Sequence, residues 1–325
     1  NAATTPATSV TVNSCYEISY VFGGGNGADK LEDGSDNPGA NVGYRDYSGD
    51  SNASVDSPDN RSYRESFKYG TGKAETRLLG GTIHNAFGGS NTLGNVREVA
   101  FSALDQKGAC GLAVGEIYGA GNKAFMDAKI EVDLGCIAGL GELFGGAMEA
   151  NVNSDVVLNV TSGTFGSVYG GNNKGGDING TITVNVEETG CNPIIIGQLY
   201  GGGKDAPYVA PAPTEAHPYS PLVNVISATE IRKVFGGGYG TTAIVTGNPC
   251  VQINMEKGKP NGVEASDIGT IGTVFGGGYG GDVIGNTRVE IGTDPTKEVN
   301  ITGSVYGGGE NANVEGKTEV IIGKE

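Results

Sequence analysis

Short alternating apolar runs along this chain end repeatedly in an aliphatic residue, an aromatic residue and a glycine-rich corner. The unit reads Val21-Phe22-Gly23, Ala86-Phe87-Gly88, Ile117-Tyr118-Gly119, Leu143-Phe144-Gly145, Val168-Tyr169-Gly170, Leu199-Tyr200-Gly201, Val234-Phe235-Gly236, Val274-Phe275-Gly276 and Val305-Tyr306-Gly307. Successive aromatics lie 65, 31, 26, 25, 31, 35, 40 and 31 residues apart, so the basic unit is near 25 residues and some units carry insertions. After most corners comes a second run in which small or apolar residues occupy every other position, as in Met126, Ala128, Ile130, Val132 and Leu134. Val245 to Ile253 and Val283 to Ile291 follow the same rule, which is the period of a strand with one buried face.

Two or three short strands in so short a unit predict an all-β chain folded as a parallel β-helix solenoid of about nine coils. A propeller blade needs four strands and a longer repeat. Stacked at strand spacing, the coils would make a rod on the order of 45 Å long. The only stretch with any helical character is short, Arg97 to Asp105. We expect one elongated domain over residues 1–325, interrupted by insertions at about 26–76, 204–221 and 257–266.

The residue before each aromatic is apolar in every unit and faces the core. By alternation the ring then points outward with the mostly polar residue two positions before it, unless the glycine corner, by adopting positive φ, turns it back inside. The rings therefore form either an internal stack or an exposed stripe along one edge.

Composition narrows the partners. The chain has 59 glycines and no tryptophan, and a formal charge of −16 that would repel nucleic acid and anionic membranes. No apolar run is long enough to insert in a membrane. The chain begins Asn1-Ala2-Ala3-Thr4 without Met and stops directly after a strand, which suggests a processed piece of a longer chain and an open end suited to end-to-end self-association. With only two histidines and no Cys-x-x-Cys, zinc is not expected.

Cys110 and Cys136 each lie eight residues before their aromatic in consecutive units, so they are the disulfide candidates; the alternative is a stack of small buried thiols. Asp29 and Asp282 close Gly-Gly-x-Gly-x-Asp-x-aliphatic matches of the calcium β-roll type, and calcium is the one cofactor to consider. That chemistry shares each ion between adjacent turns, whereas these copies are 253 residues apart. Gly276-x-Gly278-x-x-Gly281 matches a dinucleotide fingerprint but precedes a strand, so no helix N-terminus meets a pyrophosphate. The carboxylates Glu131 and Asp133, and Glu187 and Glu188, are the nearest approach to an acid–base set; alternation and turns place them on solvated faces. The first insertion is rich in recognition residues, and Tyr44, Arg45, Tyr47, Tyr63, Arg64 and Tyr69 are the candidate ligand-binding set.

Gly303-Ser304-Val305-Tyr306-Gly307-Gly308-Gly309-Glu310-Asn311 and Gly166-Ser167-Val168-Tyr169-Gly170-Gly171-Asn172-Asn173, each followed by a Val-x-Gly-x-Thr type of strand, resemble the Gly-rich repeats of large secreted β-helix proteins of Bacteroides-type gut bacteria, which are described as adhesin-like. The resemblance covers nearly the whole chain except the first insertion and carries no catalytic residues. It implies export and an extracellular or bacterial cell-surface location. The expected function is a non-enzymatic structural or adhesive segment whose partner is a glycan or a host or matrix protein. The alternatives are a carbohydrate-active β-helix and a filament subunit.

Overall fold

A computed structural model describes residues 8–27, 34, 40–42, 72–106 and 110–323, and these build an all-β parallel solenoid. Its first face stacks Lys129–Cys136, Val156–Val160, Ile182–Val186, Leu222–Val225, Cys250–Ile253, Thr287–Ile291 and Thr318–Ile322 in parallel register. Its second face stacks the strands that end in the aromatics, such as Leu112–Tyr118, Gly139–Phe144, Gly163–Tyr169 and Ile194–Tyr200. The long strands Thr8–Phe22 and Lys73–Phe87 pair along their lengths and run through both faces. A third, narrow side is made of single bridges, Met126 to Val152 to Ile178, and of the two-residue strands Tyr208–Val209, Val245–Thr246 and Val283–Ile284.

The alternating apolar residues fill the lumen. Ile130, Val132, Leu134, Val156, Leu158 and Val160 are fully buried in one continuous core, and each such side chain contributes about 1.5–3 kcal/mol of burial. Two expectations need correction here. Glu98–Leu104 is a strand, not a helix, because its alternate residues Val99, Phe101 and Ala103 enter that lumen. The runs through Gly247 and Gly285 are each broken at the glycine, where φ of 153° and 148° turns the chain from the narrow side onto the first face.

The corner after each aromatic has a different cause from the one expected. None of the glycines directly after the rings has positive φ. They are glycine because the coils approach too closely for a side chain: a Cβ on Gly119 would stand 2.3 Å from the Gly145 carbonyl oxygen, and one on Gly145 2.5 Å from that of Gly170. The corner stays hydrogen-bonded through the turn, Gly119 N–H to Phe144 O at 2.9 Å and Gly145 N–H to Tyr169 O at 2.9 Å.

The disulfides join Cys15 to Cys110 and Cys136 to Cys191, with Cα separations of 5.2 and 5.1 Å. The expected Cys110–Cys136 pair does not form. Equal distance from the aromatic is not equal position: Cys136 is in register with Leu104 at the end of the first face, whereas Cys110 directly precedes the second-face strand that begins at Leu112. Cys250 is a buried free thiol whose pKa is pushed up to about 12 by burial.

Candidate ligand-binding groove

The aromatic side chains settle into a continuous stack: from Phe22 to Tyr306, successive ring centroids are 4.7 to 5.0 Å apart with interplanar angles of 4° to 14°. Both sequence-based placements prove half right. The rings point away from the lumen, as alternation predicts, and share a face with the residue two positions earlier: Tyr118 donates to Glu116 at 2.8 Å and Tyr200 to Gln198 at 2.9 Å. Yet Phe87 to Phe275 are buried, as a second core separate from the first.

What buries them is a row that sequence reading passed over, the residue four positions after each ring. Lys204 Nζ reaches across to both carboxylate oxygens of Glu142 at 2.9 and 2.8 Å, and Glu310 reaches back to Lys233 at 2.9 and 2.8 Å. Asn173 donates to the Tyr118 hydroxyl at 2.7 Å. Tyr239 and Tyr279 stack on each other at 5.2 Å and meet the ladder edge-on, Tyr239 against Tyr200 and Tyr279 against Phe235. Burial, and the neighbouring carboxylates, raise the Tyr118, Tyr169 and Tyr200 hydroxyls far above the ordinary tyrosine range. A constant offset of four from every aromatic was the available signal for this row, because the corner keeps one length in all nine units.

Toward the first coils this row continues as the short or uncharged side chains Asn26, Asn91, Asn122 and Met148, and Phe87, Tyr118 and Phe144 stay fully buried beneath it. A groove of about 410 Å³ opens there, with Tyr20 and Asn85 on one wall, Asn91, Asn122 and Met148 on the other, and Phe22 between them. Lys174 stands at its end. Asn122 Nδ2 donates to Asn91 Oδ1 and Asn91 Nδ2 to Asn26 Oδ1, both at 2.8 Å, so the far wall is a ladder of amides. Met148 follows Asn122 in that row and offers no donor, which leaves Asn122 Oδ1 buried without a partner.

Two further grooves are smaller: one of about 220 Å³ under the proline-rich segment, lined by Ala210, Pro213, His217 and Asn248, and one of about 230 Å³ lined by Glu256, Lys257, Lys259 and Lys297. The segment over the first is pinned by Tyr208, whose hydroxyl contacts Gly180 O at 2.8 Å and Ser220 Oγ at 2.6 Å. The loop beside the second folds back on an earlier coil through Lys259 N–H to Glu188 O at 2.7 Å.

Tyr44, Arg45, Tyr47, Tyr63, Arg64, Tyr69 and Asp29 lie outside the described residues. Asp282 serves as a turn cap, accepting the Asn313 N–H at 2.7 Å and its side-chain amide at 3.2 Å, and no cluster of metal-ligating side chains occurs among the described residues. Glu131 and Asp133 are exposed as expected. Glu188 is not on a solvated face: it is buried, and its Oε2 accepts from Ile194 N–H, Thr229 N–H and Thr229 Oγ1 at 2.6 to 2.8 Å. No family model, curated protein or solved structure matches this chain.

Proposed function

We propose that this protein is a non-enzymatic structural and adhesive segment, a stiff solenoid that presents binding groups on its outer face to a glycan or a matrix protein. The observation that carries this reading is the continuity of the ring stack through every repeat, which ties each coil to its neighbours outside the lumen as well as within it. Two cross-links between coils fit an oxidising location at or beyond a cell surface. The acidic surface favours neutral or basic partners.

A carbohydrate-active enzyme is the second reading, because Glu131 and Asp133 sit two apart on the same exposed face of one strand, where partial desolvation and the Glu131 charge raise the Asp133 carboxyl above its ordinary range, and acid–base hydrolysis of glycosides uses such carboxylate pairs. One experiment separates the two. The protein is applied to arrayed polysaccharides and matrix proteins, and released reducing sugar is assayed in the same wells. Retention without release supports the adhesive reading; release that is lost in Asp133→Asn overturns it.

A further inference from the structure

We propose that the groove over the first coils is a binding site for a neutral glycan chain, running along the solenoid axis. This rests on the adhesive reading and assigns it a site and a ligand class. The groove combines the two surfaces that a pyranose needs. Its apolar side is aromatic: Phe22 and Tyr20 lie nearly parallel, at an interplanar angle of 15°, and Tyr20 is 60% exposed. Such rings accept the C–H face of a sugar with little loss of side-chain freedom.

The polar side is made of amides. Each Asn side chain carries two N–H donors and an acceptor with two lone pairs. Asn91 and Asn122 each use one N–H within their ladder, so one N–H on each remains to be used. Asn85 and Lys174 enter no side-chain hydrogen bond or ion pair among the described residues. The unpartnered Asn122 Oδ1 lacks a donor that a sugar hydroxyl supplies, once the unbranched Met148 side chain shifts. This donor and acceptor set is uncharged apart from Lys174, which suits a neutral polyol better than a phosphate or a carboxylate chain.

The dimensions agree. About 410 Å³ falls within the usual range of small-ligand sites. Asn91, Asn122, Met148 and Lys174 in its lining come from successive coils, so the groove extends along the axis with room for more than one sugar, and Phe22 is the one ring of the stack that it reaches. Further along the ladder the Lys204–Glu142 pair lies across the rings and closes it.

The test uses the whole chain and neutral hexasaccharides of β-1,4-linked glucose, xylose, mannose and N-acetylglucosamine, followed by tyrosine fluorescence, since there is no tryptophan to mask it. Matrix proteins are arrayed alongside. Tyr20→Ala and Asn85→Ala change side chains that the core does not depend on, and thermal melts check that both variants stay folded. The expected result is saturable binding of at least one hexasaccharide, weakened about tenfold or more in each variant with unchanged melting. Binding that survives in both variants would move the glycan site elsewhere and overturn the groove while leaving the adhesive reading intact. Binding to matrix proteins alone would overturn the ligand class. No binding to either panel would overturn the site and the adhesive reading together.

Discussion

Lys204 and Glu142 are 62 residues apart in sequence, yet the ammonium lies 2.8 Å from the carboxylate and the pair closes over the ring stack beside Tyr169, whose hydroxyl stands 3.5 Å from the same carboxylate. Both side chains are about one-quarter exposed, so solvent screening limits the pair. Lys204→Met combined with Glu142→Gln in a double-mutant cycle should show a coupling of about 1 kcal/mol or less by urea unfolding. Phe144→Ala, which removes a fully buried ring from the middle of the stack, should cost about 3–5 kcal/mol.

The close approach of the coils gives a sharper contrast between two corner glycines, Gly145 directly after its ring and Gly308 second after its ring in the last repeat. A Cβ at Gly145 would collide with the Gly170 carbonyl at 2.5 Å, a backbone atom that cannot yield, whereas a Cβ at Gly308 meets nothing within 4 Å. Gly145→Ala should lower the thermal midpoint strongly and Gly308→Ala should leave it nearly unchanged. Equal effects would mean that backbone freedom, and not coil spacing, selects glycine there.

Much of this architecture was legible in the sequence because it depends on period. Alternation located the lumen residues from Ile130 to Leu134, and the recurrence of the aromatic located the corners. Three features were not legible. The cysteine partners depend on the turn from the first-face strand to the second-face strand, whose length differs from coil to coil, so Cys110 and Cys136 share an offset without sharing a place. The buried role of Glu188 depends on N–H groups of Ile194 and Thr229, which only the folded turn brings together. The groove depends on which side chains form the row over the ladder, Asn91, Asn122 and Met148 in the first coils against the long Lys204 further along, and a repeat pattern says where rings recur without saying what caps them.

Alkaline pH offers a test of ring burial. The Tyr208 hydroxyl is pushed up to about 12 by burial, above its ordinary 10.0, and those of Tyr118, Tyr169 and Tyr200 move in the same direction. A raised folded pKa favours the neutral hydroxyl, so its stabilisation is fully present below pH 10.0 and is lost as pH rises through about 12. Titration in the tyrosinate ultraviolet band should show a group of tyrosines that ionise only together with unfolding. Smooth ionisation of all tyrosines in the folded protein would contradict the buried stack.

The two disulfides close sequence separations of 95 and 55 residues. Removing the second in Cys136→Ser should cost about 2–4 kcal/mol by denaturant unfolding, chiefly by freeing the unfolded chain. Mass mapping of the non-reduced protein should recover Cys15 with Cys110 and Cys136 with Cys191, and leave Cys250 alkylated only after unfolding.

The scaffold claim is tested most directly by hydrogen exchange at the glycines that follow the rings. Gly88, Gly119, Gly145, Gly170, Gly201 and Gly236 each donate their N–H to the aromatic residue's carbonyl in the next coil at 2.9 to 3.0 Å. These corner amides should exchange as slowly as the strand centres on either side of them. Exchange at the rate of open loops would mean that the coils are joined only through their strands, and that the stiff ladder on which the binding groove is built does not persist in solution.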